Sequence, residues 1–522
     1  MSGQDAPERT SGAGVVFLLG GGPGDPGLIT VRAAEVLASV DVVLHDELVH
    51  PALLELCRAD AEVRCVGKRG GNPAAKQAKQ ADIDAELVAL ATAGRSVARL
   101  KGGDPFLFGR GSEEAEVLAR HGIPFEIVPG VCSPLGASAY AGISLTHRDL
   151  ASSVTFVSGT TRAGAGFDWT ELDGIKGTVC VLMGMRRIDE ITRGLIEHAR
   201  RDPATPCAVI QWGTRADQAV VTGRLDAIAA LAREAGLGSP SVILVGPVVA
   251  LRSSLRWFDN RPLFGKRVLV TRPKGQAGAT ARLLRGRGAD PIVWPTITLG
   301  PPPDPARVDQ AVRELDGYDV VAFTSENGVD WFWSAIERAG RDARVFGRAR
   351  VGAIGTGTAE ALARRGVRAD IMPTEFRGEE LAAAILADRR AIGRSAPWRA
   401  LVPRALVARE VLPELLREAG VEVDVVPVYE TRSVPADRRD ELQAMLEAGK
   451  VDVVLLTASS TADAICELLA PRAVELLAGV LIASIGPITT RTAEKRGLTV
   501  GVTAEVSTTA GLIAAVERRI AG

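Results

Sequence analysis

The sequence predicts an α/β protein of at least two domains, and three observations carry that prediction. Short apolar runs rich in Val, Leu and Ile alternate with helix-patterned stretches almost from end to end. Gly, Pro, Asp, Ser and Thr cluster where the apolar runs stop. At 522 residues the chain is also longer than one hydrophobic core ordinarily serves. Strand, helix and strand in this rhythm favour layers with largely parallel sheets, because each crossover helix returns the chain to the same edge.

In the first half, VVFLL at 15–19, DVVLH at 41–45, SVARL at 96–100, SVTFVS at 153–158 and TVCVLM at 178–183 read as strands. SSLRWFDNRPLFG at 253–265 reads as the linker, and KRVLVTRP from Lys266 opens a new strand. The domains are therefore placed at 14–256 and 264–522, with residues 1–13 read as disordered. The second half repeats itself. VLVTRP at 268–273 is similar to ALVPRA at 400–405, VVAFTSENG at 320–328 to VVLLTASST at 453–461, and GAIGTGTAEALARRGV at 352–367 to ASIGPITTRTAEKRGL at 483–498. All three pairs recur in order at offsets of 131 to 133 residues, which predicts two similar α/β lobes with a ligand cleft between them.

Composition excludes several function classes. A net charge of −1 provides no basic field for nucleic acid. The six cysteines form no CxxC pair and there are only five histidines, so no built-in metal site is expected. Scattered thiols and the lack of a bilayer-length apolar run point to a cytoplasmic protein without membrane association.

Gly22, Gly24 and Gly27 in GGGPGDPG formally satisfy G-x-G-x-x-G, and Asp46 closes the second strand about where a ribose-binding acid would stand. Dinucleotide binding nevertheless fails on physical grounds. Pyrophosphate needs free backbone N–H groups; Pro23 and Pro26 have none, and Asp25 repels phosphate.

GGGPGDPGLIT, HDELV at 45–49, VGKRGG at 66–71, RLKGGDPFLFGRG at 99–111, VPGVCS at 128–133, AYAGISLTHRD at 139–149 and VLMGM at 181–185 occur in this order. Together they resemble the uroporphyrinogen III C-methyltransferases of the tetrapyrrole methylase family. The resemblance implies a two-lobed α/β domain that methylates uroporphyrinogen III twice, to precorrin-2. Its cofactor would be S-adenosyl-L-methionine, leaving S-adenosyl-L-homocysteine. It assigns cofactor contacts to Pro23, Gly102, Gly103, Asp104, Leu107, Cys132, Ser133, Met183 and Gly213, with Asp104 complementing a sulfonium or amino group. Asp46 matches the family's proton acceptor and Lys68 its proton donor. It also implies a homodimer formed through this half. The chain departs from the family's usual residues at His45, Glu47, Cys132, Ser133 and Trp212.

Residues 266–522 show no nucleophile–base pair, metal cluster or phosphate loop. TSENG, GTGTAEA, TASSTADA and GPITTRTAE instead place N–H groups and hydroxyls at the starts of helices, which suits carboxylates. With LVPRALVAREVLP and VPVYET, they resemble uroporphyrinogen III synthase over the whole half. That resemblance implies a two-lobed α/β domain that cyclises hydroxymethylbilane without a cofactor. Tyr429 becomes the candidate acid, Thr358 and Thr489 match cleft hydroxyls, and Ser325, Thr457 and Ser460 are expected to line the cleft. The alternative is a methylase of a later precorrin fused to a non-catalytic tetrapyrrole-binding sensor.

Overall fold

The computed structural model describes residues 13–67, 73–160, 167–272, 274–393, 397–433 and 436–522. It divides into two compact units at Arg267/Val268, with residues 283–290 and 520–522 grouped with the first. The fold is α/β throughout, as the alternation requires.

In the first unit, β1 (Val16–Gly20), β2 (Val42–His45), β3 (Glu62–Cys65), β4 (Val97–Lys101) and β5 (Phe125–Val128) form one parallel sheet in the order β3-β2-β4-β1-β5. β4 lies at its centre and is buried along its whole length. Its alternate residues face opposite layers. Val97 packs with Leu87, Ala115 and Leu118 of the helices Pro73–Thr92 and Gly111–Arg120, whereas Ala98 and Leu100 pack with Val36, Leu37 and Leu53.

The second sheet contains β6 (Val154–Ser158), β7 (Thr178–Leu182), β8 (Pro206–Gln211), β9 (Ala219–Arg224) and β10 (Ser241–Val245), ordered β6-β7-β10-β8-β9. Here the largely parallel expectation is corrected. Only β6 and β7 run parallel, and the β7–β10, β10–β8 and β8–β9 pairs are antiparallel. The seven-residue connection from Gln211 to Ala219 is too short for a crossover helix, so it returns β9 beside β8 as a hairpin.

The second unit contains β11 (Arg267–Val270), β12 (Asp290–Val293), β13 (Ile297–Gly300), β14 (Val320–Phe323), β15 (Arg350–Ala353), β16 (Arg399–Ala405), β17 (Glu422–Ser433), β18 (Val453–Leu456), β19 (Leu481–Ser484) and β20 (Val500–Thr503). They form two five-stranded sheets, β12-β11-β18-β19-β20 and β13-β17-β16-β14-β15. The two lobes expected from the repeat are present, but a repeat is not a lobe. By the motif pairs, β11, β14 and β15 match β16, β18 and β19. Yet β11 pairs with β18, while β16 pairs with β14. Each sheet takes its first strand from one repeat and the next two from the other. The chain changes sheets between β12 and β13, and again after β17.

The segment expected to be a linker is packed rather than free. Arg252–Leu255 is helical; Trp257 and Phe258 pack against Tyr140, edge-on and tilted, at centroid distances of 5.0 and 4.7 Å. The Trp257 indole donates to the Ala139 carbonyl at 2.8 Å, and Asp259 pairs with Arg252 and Arg256. We therefore expect a fragment ending at 267 to be soluble. One ending at 256 should be less stable by about 3 kcal/mol, the scale of deleting a large buried ring. Equal unfolding midpoints for the two fragments would show that the segment contributes nothing to the first unit.

Candidate functional site

In a parallel sheet the loops leaving the carboxyl ends of the strands share one edge, and ligands gather there. Pro23 follows β1, Asp46 follows β2, Gly102, Gly103 and Asp104 follow β4, and Cys132 and Ser133 follow β5. Residues far apart in sequence thus lie along one edge of the first sheet. Contacts tighten the grouping. Gly22 and Gly103 form an isolated backbone bridge. A Cβ on Gly130 would stand 2.3 Å from the Gly103 carbonyl oxygen, so only glycine permits this approach. Gly103 also has φ +72°, in the left-handed region.

The G-x-G-x-x-G pattern does not build a phosphate loop. Asp25 caps the short 3₁₀ turn Pro26–Leu28, and the next helix, Val31–Leu37, starts only after Thr30. The Asp25 carboxylate also accepts from the Tyr140 hydroxyl at 2.7 Å, and the Asp25 N–H donates to the Thr214 hydroxyl at 2.8 Å. Pro23 packs against Gly136, where a Cβ would stand 2.3 Å from Pro23 Cγ. Gly213 packs on Ala137, with a Cβ distance of 2.5 Å. The helix Ser133–Tyr140 thereby meets both the Pro23 loop and the loop after β8.

Asp104 is already engaged by the backbone around it. One carboxylate oxygen accepts from the N–H groups of Phe106 and Leu107, and the other from the N–H of Gly130, at 2.8 to 3.1 Å. This carboxylate shapes the glycine loop and ties it to the loop after β5. Leu107 is partly exposed beside it, Cys132 stands at the N-terminal boundary of the helix Ser133–Tyr140 without a side-chain capping bond, and burial pushes the Cys132 thiol pKa up. Met183 directly follows β7, with φ +55° and half its surface exposed.

Asp46 keeps nearly a third of its side chain exposed and accepts from Arg99 Nη2 at 2.5 Å. The His45 ring lies 3.0 Å from its carbonyl oxygen. Lys68 falls outside the described residues. Arg99, Lys101 and Glu114 are charged residues that reading for motifs missed, and all three are buried. The signal was available: in VARLK, alternation places Arg99 and Lys101 on the same inward face as Val97.

In the second unit the expected residues again gather at carboxyl edges. Ser325 follows β14 and caps the helix Glu326–Arg338, accepting from the Gly328 N–H at 3.0 Å. Tyr429 lies in β17, its ring 6% exposed and its hydroxyl 3.4 Å from Ser325 Oγ. Thr358 and Thr489 occupy matching positions in the first turns of the helices Thr356–Ala363 and Pro487–Lys495. Both residues are almost fully buried, so neither offers a broad cleft surface. Thr457 follows β18 and is partly exposed; Ser460 is exposed in the helix Ser459–Leu468. Arg272 was overlooked. It follows β11, donates to the Thr509 hydroxyl at 3.2 Å, and has no carboxylate salt-bridge partner among the described residues. Its repeat counterpart Arg404 is paired with Glu410.

Comparison with known proteins covers both units. The porphyrin biosynthesis protein HemD of Ruminiclostridium josui is 35% identical over 503 residues, spanning 96% of this chain and 97% of that one. The chain belongs to this HemD family of porphyrin biosynthesis proteins. Residues 15–229 match the tetrapyrrole (corrin/porphyrin) methylases, and residues 278–514 match uroporphyrinogen-III synthase HemD. The family thus joins a tetrapyrrole methylase to a uroporphyrinogen III synthase, and the chain is a bifunctional protein of tetrapyrrole biosynthesis. Siroheme synthase 1 of Yersinia enterocolitica is 50% identical over 250 residues, covering 48% of this chain and 52% of that protein. The chain spans about half the length of the siroheme synthases it matches. A uroporphyrin-III C-methyl transferase from Thermus thermophilus, crystallised with S-adenyl homocysteine, is 37% identical. That match covers 46% of this chain and 100% of the other, with a TM-score of 0.40. No helix among the described residues is long and apolar enough to cross a membrane.

Proposed function

We propose that the second unit closes hydroxymethylbilane to uroporphyrinogen III, and that the first unit methylates this product twice, with S-adenosylmethionine, to precorrin-2. The observation that carries the reading is the presence of both family halves on one chain, since the product of one reaction is the substrate of the other. We further propose a cytoplasmic homodimer, formed through the methylase unit.

The glycine-rich first-sheet edge supports this reading. A Cβ at Gly102 would meet only Leu48 Cβ, at 3.5 Å, so glycine there leaves open space beside the loop. The loops bearing Pro23, Gly102 to Leu107, and Cys132–Ser133 would hold the cofactor, together with Met183 and Gly213. When bound, the cofactor supplies an electrophilic methyl group on a sulfonium. Leu48 and Phe106, both exposed on loops of this edge, offer apolar surface to a flat macrocycle. Asp46 accepts the proton released from the methylated ring, its carboxylate held by the Arg99 guanidinium beside it. Lys68 returns a proton.

In the synthase unit the Tyr429 phenol donates a proton to the departing hydroxyl, with Ser325 Oγ within reach of the same oxygen. Arg272, without a carboxylate salt-bridge partner of its own among the described residues, takes one carboxylate of the substrate. We expect Arg272→Gln to raise KM for hydroxymethylbilane about tenfold, the scale of one charge-assisted hydrogen bond. An unchanged KM would remove Arg272 from the substrate site. One assay tests the whole proposal: purified protein with hydroxymethylbilane and S-adenosylmethionine, products identified by mass. Precorrin-2 is the expected product. Unchanged uroporphyrinogen I, formed spontaneously, would overturn the synthase assignment, and unmethylated uroporphyrinogen III the methylase assignment.

A further inference from the structure

β4 carries two cations into the core. Arg99 and Lys101 are 2% and 4% exposed, and Glu114, on the helix Gly111–Arg120, is fully buried beneath them. Glu114 Oε1 accepts from Lys101 Nζ at 2.7 Å, Gln80 Nε2 at 3.1 Å and Arg99 Nε at 3.3 Å. Its Oε2 is buried without a partner among the described residues. The Arg99 guanidinium is therefore gripped on one edge by Glu114. Its Nη1 lies 3.4 Å from the carbonyl oxygens of Leu44 and Leu100, and its Nη2 reaches Asp46 at 2.5 Å. These contacts surround the guanidinium, and the outer end of the chain of contacts is the partly exposed Asp46 carboxylate.

Such a cluster is a poor way to stabilise a core, because well-packed apolar side chains of the same volume usually do as well or better. Burial works against the Arg99 charge, but Asp46 and Glu114 outweigh it and raise its pKa. Burial, reinforced by Arg99, pushes the Lys101 ammonium pKa down. Asp46 is faced by Arg99 from β4 and flanked by His45 and Glu47; Lys68 lies outside the described residues. Glu114 is faced by Arg99 and Lys101 from β4 and by Gln80 from the helix Pro73–Thr92. Asp84 lies behind Gln80, and Arg110 and Glu113 sit at the start of the Glu114 helix.

We infer that Glu114 and Arg99 are positioning residues for methyl transfer: Glu114 fixes the Arg99 guanidinium, and Arg99 aims the Asp46 carboxylate. This rests on the proposal that Asp46 accepts a proton, and it adds two residues that never touch the substrate.

The test is the pH profile of kcat/KM for uroporphyrinogen III in the full-length protein, with S-adenosylhomocysteine binding measured beside it. Arg99→Gln removes the cation next to Asp46, so the acid limb should move up. Its kcat at neutral pH should fall at least about tenfold. Glu114→Gln removes an anion and leaves the cluster with one cation in excess, so its acid limb should move down, and kcat should fall about fivefold as Arg99 loses its brace. S-adenosylhomocysteine affinity should stay within about twofold in both. Opposite shifts of one limb are a signature that loosened packing does not produce. Unshifted limbs in variants that still bind S-adenosylhomocysteine, with Asp46→Asn inactive, overturn the inference alone. An active Asp46→Asn overturns the Asp46 assignment beneath it. If either single variant fails to fold, Lys101→Met combined with Glu114→Gln removes one charge of each sign. It should return the limb close to wild type with kcat still reduced; a wild-type kcat there sinks the positioning role.

Discussion

Asp46→Asn should fold, bind S-adenosylmethionine, and lose about 10²- to 10⁴-fold in methylation of uroporphyrinogen III, the usual worth of a positioned proton acceptor. The amide is nearly isosteric with the carboxylate, and its oxygen can still accept from Arg99 Nη2. Stability should fall only by about 1–2 kcal/mol, as a charge-assisted bond becomes a neutral one on a partly exposed side chain. The expected signature is a large loss of kcat with little change in cofactor affinity. The measurement is single-turnover methylation of supplied uroporphyrinogen III, beside calorimetric binding of the cofactor. A rate within about twofold of wild type, less than ~0.5 kcal/mol in barrier height, would make Asp46 a strand-end turn residue and no more.

Tyr429→Phe should leave methylation of supplied uroporphyrinogen III unchanged and depress its formation from hydroxymethylbilane by about 10²-fold or more. The substitution keeps the ring and removes one hydroxyl. At 3.4 Å from Ser325 Oγ that hydroxyl makes at best a weak hydrogen bond, so losing it should cost under about 1 kcal/mol of stability. The phenol O–H is a donor that phenylalanine lacks. The ring stays seated among Phe323, Val426 and Val428 of its own lobe, which is why packing alone should not change. Substrate not taken by the enzyme closes by itself, so the symmetric isomer I should accumulate. Wild-type synthase rates in the Phe variant would leave Tyr429 as a packing residue and shift the work to substrate positioning at the helix starts.

The sequence by itself determined the α/β class, the division into two enzyme halves and the family of each, because these depend on local patterns. Apolar runs of strand length, glycine-rich strand ends and ordered motifs such as RLKGGDPFLFGRG are read without knowing what packs on what. The alternation in VARLK even recorded the two inward cations, although a motif reading passes over them. What the sequence left open were the relations between distant segments. The repeat in residues 266–522 has the same form whether each copy folds on itself or trades strands; only tertiary pairing decided that β11 joins β18 and that β16 joins β14. The same holds for the second sheet, where local strand signals are the same for parallel and antiparallel neighbours, and the short return after β8 set the direction. Trp257 and Phe258 read as linker because nothing in their neighbourhood reveals a partner 117 or 118 residues away at Tyr140. Asp104 was legible as a cofactor contact only through the resemblance, and the three backbone N–H groups its oxygens accept from were not legible at all. Hydrogen bonds and ion pairs act over a few ångströms of space, whatever the distance along the chain. The partners of Asp46, Asp104 and Glu114 were therefore fixed only when the strands came together.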